Sequence, residues 1–470
     1  MKKDVVSSAL RDGLNKTPGR LVRALEFLLG VAVFFVFARY ARYAKIDEFT
    51  GLKTAEMQIF SGVIFSAIFA LSFAIQLHVG KKLPVYMHVL LGVLTGAILL
   101  GKISLLDYVS DDYDIFLSHW IYNYSKLGFK EGLGTYIGSD YTPPYLYMMQ
   151  LISYVEDYPP QYLVKAISIA FDVLMAYAIM KISSFKVKGT RAQLLIFHIA
   201  TMLPTVVFNS AYWGQCDVIY TSLCLLALYM GMSRRSAMSM VFFGMALSFK
   251  LQTVFFFPVM LPLWLRKDIK LSHLPLIFAA YMGMMIPALW GGKSLHHVFT
   301  VYLQQASNYG GLTINAPNLY QLLPDLDNAL LYDMFGTFAM VMGFACVMAM
   351  CVLVCVYRDR LSNDACVLVC LLMLVGIPFF LPKMHERYTF GADVLTLAAM
   401  AYAPKRRFLL PLCFGFASYA AYTAGLAGEM IMDLGLAAIF QIVGLALTAA
   451  ELWRSLQDGQ VPADMMEVKA

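Results

Sequence analysis

The groups best equipped for chemistry in this chain are a few charged and polar side chains set among long apolar runs. Asp111, Asp112 and Asp114 come within four residues, with His119 and Trp120 just after them. At a helix start such acids suit the positive end of the macrodipole and need no other role. Set against an acceptor, a carboxylate there can take the proton from a sugar hydroxyl as it attacks. Lys383, His385, Glu386 and Arg387 form a second group. They read as a charged loop between two spans, or as a phosphate clamp in which arginine supplies a planar fork and lysine a point charge. A clamp of that kind stabilises a phosphate leaving group as its charge develops. Tyr212-Trp213-Gly214-Gln215-Cys216-Asp217 is the third group. Aromatic residues anchor spans at a membrane boundary, but Gln215 and Asp217 would open an apolar span. Lys250 and Gln252 interrupt another apolar stretch, and a lysine there needs an anionic partner, for which a lipid phosphate is a candidate. Asp172 falls mid-span, where pairing with a neighbouring helix is the simplest account. Tyr108, Tyr113, Tyr122, Tyr124, Tyr136, Tyr141, Tyr145 and Tyr147 form either an interfacial belt or a sugar-stacking surface.

The elements that must position these groups are membrane helices. The 470 residues are 60% hydrophobic and 14% charged, with mean hydropathy +0.66. Soluble chains carry about 25% charged residues. Apolar segments recur at 21–38, 57–79, 84–101, 160–181, 192–209, 216–232, 236–249, 253–265, 272–290, 330–357, 364–381, 389–403, 408–425 and 430–453. These predict an all-α polytopic membrane protein of about 14 helices in a single integral membrane domain over 1–470. The pair 236–249 and 253–265 is short enough to be one bent hairpin. No small-residue cleavage site follows the first apolar run, so that run reads as a retained helix. The net charge of +6 is spread as short basic clusters between spans, which argues against nucleic acid as a partner and for orientation in a bilayer. With the basic start (Lys2, Lys3, Arg11, Lys16) cytoplasmic, about two-thirds of the Lys and Arg fall inside, Lys405–Arg407 among them. Arg39, Arg42 and Lys45 fall on the other side.

That orientation gathers four segments on the outer face: Asp111–Tyr147, Tyr212–Asp217, Phe249–Gln252 and Lys383–Tyr388. The outer loop 102–159 is too polar to cross. Asp112, His119, Asn123, Lys126 and Lys130 share one helical face, which predicts an interfacial helix over 112–130. Pro143-Pro144 then stops any incoming helix. The outer loop 291–329, with Gly310-Gly311, is long enough to act as a lid. No nucleotide, zinc-protease or dinucleotide motif is present, and no CxxC pair among eight Cys. Without a soluble nucleotide-sugar domain, an energised donor on the outer face has to be lipid-linked.

Three motifs then carry a resemblance: Asp112-Tyr113 through His119-Trp120 with Tyr141-Thr142-Pro143-Pro144, Trp213-Gly214-Gln215-Cys216-Asp217, and His385-Glu386-Arg387-Tyr388. Phe249-Lys250-Leu251-Gln252 adds to them. Together they resemble the GT-C class of membrane glycosyltransferases, in particular the dolichyl-phosphate-glucose-dependent glucosyltransferases and, more closely, bacterial proteins related to GPI mannosyltransferases. The resemblance implies inverting transfer of one hexose from a polyprenyl-phosphate donor to a glycan or lipid-linked acceptor, at the outer face of a bacterial plasma membrane. It implies Asp112 as base, with Asp111 and Asp114 still in play because the gap to His119-Trp120 is one residue longer than in the eukaryotic enzymes. It implies Arg387, His385, Lys383 and Lys250 at the donor phosphate. Glu386 orients them, and His119, Trp120, Tyr141, Trp213, Gln215, Asp217, Gln252 and Tyr388 line the substrate. It implies no cofactor, although paired acids elsewhere in the class hold a divalent metal. Other readings are a flippase or exporter of lipid-linked sugars, and a polymerase or ligase of the O-antigen type. The first expects polar groups spread through the bundle and paired repeats. Here the polar groups gather on one face and no repeat is seen.

Overall fold

The structure is a computed structural model describing residues 17–40, 55–307, 311–323, 328–406, 408–428 and 430–458. The basic residues before Thr17, together with Arg42, Lys45, Gly310 and Arg407, lie outside the described residues. Three long helices come first: α1 (Arg20–Tyr40), α2 (Ala55–Val79) and α3 (Val85–Ile103). A π turn at Tyr113–Leu117 leads into α4 (Ser118–Ser125), followed by α5 (Phe129–Gly134) and α6 (Pro143–Ser153). Next come α7 (Pro160–Ser183), α8 (Thr190–Met202) and α9 (Pro204–Val207), the last running into a second π turn at Phe208–Trp213. After α10 (Asp217–Met232) and α11 (Ser236–Leu247), a 3-10 run at Leu251–Val259 feeds α12 (Met260–Leu265). The chain continues through α13 (Pro275–Trp290), α14 (Leu295–Ser307), β1 (Thr313–Ile314) and α15 (Asn328–Val356). It ends with α16 (Asn363–Phe380), β2 (Met384–His385), α17 (Phe390–Tyr402), α18 (Leu409–Ala427) and α19 (Leu434–Asp458).

Each apolar segment named from sequence coincides with a helix. Nine helices among the described residues are long and apolar enough to cross a membrane, and Thr190–Met202 with Pro204–Trp213, bent by 52° at their junction, meets the same measure only when the two are taken together. The remaining apolar segments are the shorter helices at Asp217–Met232, Ser236–Leu247, Leu251–Leu265 and Phe390–Tyr402. The bend falls at Pro204, which has no N–H to offer and forces Leu203 out of helical geometry. The chain is thus an all-α polytopic membrane protein.

Burial sorts the spans into layers. α16 is 83% buried over its span, whereas α1 is 11% and α15 is 17% buried. α10 and α17 bury nearly every side chain, and α7 packs against both α10 and α17. A helix apolar on all sides is at home either in a protein core or against lipid. α16 takes the first place, while α1, α13 and α15 present leucines and phenylalanines to hydrocarbon. Ser362 starts α16 by accepting a hydrogen bond from Ala365 N.

The helix expected over 112–130 is broken. Trp120, Ile121 and Tyr124 bury one face of α4, while His119, Asn123 and Lys126 stay exposed as expected. The helix stops at Ser125, and Gly128, in extended backbone, starts α5 on a new axis. α5 crosses the start of the 291–329 segment at backbone contact. A Cβ on Gly134 would stand 2.0 Å from Gly291 O. Within the described part of that later segment, β1 pairs in parallel with β2, with Thr313 opposite Met384 and Ile314 opposite His385.

Candidate active site

The first acidic segment is fixed at its start by Ser110. Its hydroxyl accepts from Tyr113 N at 3.3 Å and donates to Trp213 O at 3.0 Å, tying the first loop to the Trp-Gly-Gln turn. Asp112 consequently points at that turn. Its Oδ2 accepts from Trp213 Nε1 at 3.1 Å and from Gln215 Nε2, and Arg387 Nη1 lies 3.4 Å away. The Asp112 side chain stays 29% exposed, so this carboxylate is the member of the cluster that solvent reaches most.

The Trp-Gly-Gln turn owes its shape to the π turn before it. Gly214, at φ +81°, reverses the chain so that Gly214 N and Gln215 N both donate to Asn209 O. Asn209 Nδ2 donates to Asp217 Oδ2 at 3.0 Å, and Ser168 donates to Gln215 O at 2.8 Å. Lys165 donates to the carbonyls of Leu105, Leu106 and Tyr108 just beyond α3, holding the approach to Ser110 in place.

Arg387 lies at the centre. Its Nη1 is 3.0 Å from Glu386 Oε1, its Nε is 3.7 Å from Asp217 Oδ2, and its guanidinium lies 5.2 Å from the Trp213 ring centre. Asp217 in turn holds Lys250 Nζ at 2.5 Å. Burial disfavours the arginine's charge, but Glu386, Asp112 and Asp217 outweigh it and hold its pKa well above the usual value. Burial also pushes the Glu386 carboxyl up, against the pull of Arg387. For His385 burial and the charges of Arg387 and Lys250 act together, driving the imidazole down to about 2. That direction favours the neutral imidazole over a third positive charge beside Arg387 and Lys250.

Lys250 sits at the break between α11 and the 3-10 run, in extended backbone. That break is held by Thr142, which donates to Phe249 O at 3.1 Å instead of capping α6. Tyr141 packs its ring, tilted, against both Trp120 and Tyr145, and its hydroxyl accepts from Cys216 Sγ at 3.7 Å. Lys383, at φ +64°, places Nζ 4.9 Å from the Tyr332 ring centre. With Gln252 and Tyr388 it borders a cavity of about 440 Å³ whose other walls include Leu251, Phe255 and Met340.

The structure thus joins Asp112, Trp213, Gln215, Asp217, Lys250, Glu386 and Arg387 directly, with His385 and Tyr388 beside them. Asp111, Asp114 and His119 are exposed, and among the described residues neither acid makes an ion pair. His119 Nδ1 instead meets Asp114 O at 3.0 Å. Trp120 is buried against Tyr141. Sequence reasoning missed Ser110, Asn209 and Asp140. Asp140 is half-buried. Burial raises its carboxyl, Lys250 and Arg387 lower it, and Asp112 raises it further, so it shares the field of this cluster. Its place directly before Tyr141-Thr142-Pro143-Pro144 was the available signal. Among the described residues no group of three or more His, Cys, Asp or Glu is placed to hold a metal ion.

A family model described as glycosyltransferase family 87 matches residues 140–382. No curated protein matches the chain. The matched stretch includes Trp213, Gln215, Asp217 and Lys250 but stops short of Arg387 and begins after Asp112.

Proposed function

Because the chain belongs to glycosyltransferase family 87, we propose that it is an inverting hexosyltransferase of the GT-C type, working at the extracytoplasmic face of a bacterial plasma membrane. Its donor is a polyprenyl-phosphate-linked sugar, and its acceptor is a glycan or lipid-linked glycan of the cell envelope. The observation that carries this reading is the way Asp112 is held. Among the described residues, Trp213, Gln215 and Arg387 all meet Oδ2. The two side-chain hydrogen bonds to this carboxylate, from Trp213 and Gln215, both go to Oδ2, which supports a role for Oδ1 in meeting an acceptor hydroxyl.

In the reaction Asp112 takes the acceptor's proton as the acceptor oxygen bonds to the anomeric carbon. The bond from that carbon to the phosphate oxygen breaks, through an oxocarbenium-like state, and its electron pair leaves with the phosphate. The departing phosphate gains a negative charge, which Arg387, Lys250 and Lys383 stabilise. Glu386 and Asp217 orient Arg387 and Lys250, and neutral His385 supplies a hydrogen bond. The cavity beside Lys383, Gln252 and Tyr388 supports seating the first isoprene units of the donor, because its remaining walls are apolar.

The test is transfer itself. Purified protein supplied with a polyprenyl-phosphate hexose and envelope glycan extract adds one sugar per acceptor. Asp112→Asn lowers turnover about a thousandfold while elution and melting behaviour stay unchanged. Full turnover in that variant would remove Asp112 as the base, and no transfer from any lipid-linked donor would remove the activity.

A further inference from the structure

The second polar cluster of the molecule lies inside the bundle. Lys102, in the last turn of α3, donates to Asp172 Oδ2 in the middle of α7, and both side chains are at most 3% exposed. The same oxygen lies 2.6 Å from Ser210 Oγ, whose one proton it shares with Val206 O at 2.8 Å. Ser210 belongs to the π turn Phe208–Trp213, the turn that delivers Trp213 and Gln215 to Asp112. Its neighbour Asn209 fixes both Gly214 and Asp217. Asp172 Oδ1, with no hydrogen-bond partner among the described residues, belongs to a residue bordering a cavity of about 20 Å³, room for one water.

A π turn carries one more residue than the helix around it and has poorer internal hydrogen bonding. If it relaxes to α geometry, everything after it rotates by about 100°, one residue's share of a turn. Something outside the helix has to hold the extra residue. We propose that Lys102, Asp172 and Ser210 are positioning residues for sugar transfer, holding the π turn so that Trp213 and Gln215 meet Asp112. The pair crosses from α3 to α7, and Ser210 carries the constraint from α7 to the catalytic end. This rests on the reading of Asp112 as base, and it extends the site to residues outside the substrate cleft.

The experiment uses the full chain in detergent or nanodiscs. Ser210→Ala deletes one hydroxyl and leaves the ion pair. It is expected to lower kcat about ten- to a hundredfold, as a misplacement of about 1 Å does. Donor KM and the melting temperature stay unchanged, and Ser210→Thr restores kcat. The ¹⁵N-indole resonance of Trp213, one of five tryptophans, shifts in Ser210→Ala and returns in Ser210→Thr. An unmoved indole resonance, unchanged kcat, or a loss of kcat that tracks a loss of melting temperature without rescue by threonine would overturn the proposal. Because the indole shift is read without substrate, it stands or falls apart from the transfer reaction: failure to transfer sugar would leave it intact.

Discussion

The chain builds two clusters from basic and acidic side chains, and they differ in how fully their charges are matched. Lys102 and Asp172 are a closed pair, one cation to one carboxylate, at most 3% exposed and capped by Ser210. Around Arg387 one guanidinium is shared by Asp112, Asp217 and Glu386, with Lys250 on Asp217, and the series ends on a carboxylate that is 29% exposed. A closed pair in an apolar interior contributes geometry, because among the described residues its charges have no other charged partner. A shared cation that opens to solvent can exchange one of its carboxylates for an incoming anion. The difference teaches that burial alone does not mark the proposed site. The number of carboxylates competing for a cation, and the path from them to solvent, does.

The largest effect expected is on the closed pair. Lys102→Met leaves Asp172 uncompensated and is expected to cost about 3–5 kcal/mol of stability. Lys102→Met with Asp172→Leu recovers most of that loss, as read by thermal melting. If the single variant melts like the parent, the pair is not closed and the comparison fails. Next comes Arg387→Lys. It keeps the charge but loses the fork, so kcat falls about a hundredfold with little change in melting temperature.

A smaller effect is set by pH. His385 is neutral in the folded chain, driven down to about 2, whereas an unfolded chain protonates its histidines below about 6.5. The unfolded state therefore binds the extra proton, and stability falls as pH drops below about 6.5. His385→Asn is expected to flatten the fall in melting temperature between pH 6.5 and pH 4. An equally steep fall in that variant would exclude His385 as its source. The smallest effect belongs to Asp140. Asp140→Asn removes one acid from the field of Lys250 and Arg387, so donor KM should fall about threefold. An increase in KM would instead make Asp140 a sugar contact.

Much of this was legible in the residues themselves. The spans follow from apolar length, and even the short helices at Asp217–Met232 and Phe390–Tyr402 stand where apolar runs were marked. Asp112, Gln215, Lys250 and Arg387 were legible because a polar group that interrupts or abuts hydrocarbon needs a reason. Asp172 was legible as a paired acid, but its partner was not. Lys102 lies just past the end of an apolar run, where a lysine reads as an ordinary solvated terminus. Ser210 gave no signal, since small hydroxyl residues in membrane helices satisfy their own backbone. Neither π turn is written in a periodicity, because one inserted residue is invisible against the drift of a 3.6-residue repeat. Asp140 was hidden because Gly128, Gly132, Gly134 and Gly138 before it read as a plain loop.

The central claim is that a donor phosphate takes Arg387 while Asp112 faces the acceptor. A structure of the full chain with a polyprenyl phosphonate analogue of the donor tests it most directly. The account predicts phosphonate oxygens within about 3 Å of Arg387, at hydrogen-bond distance, with Asp112 across the sugar on the opposite face of the anomeric carbon. A phosphonate bound away from Arg387, or on the same face of the sugar as Asp112, would contradict it.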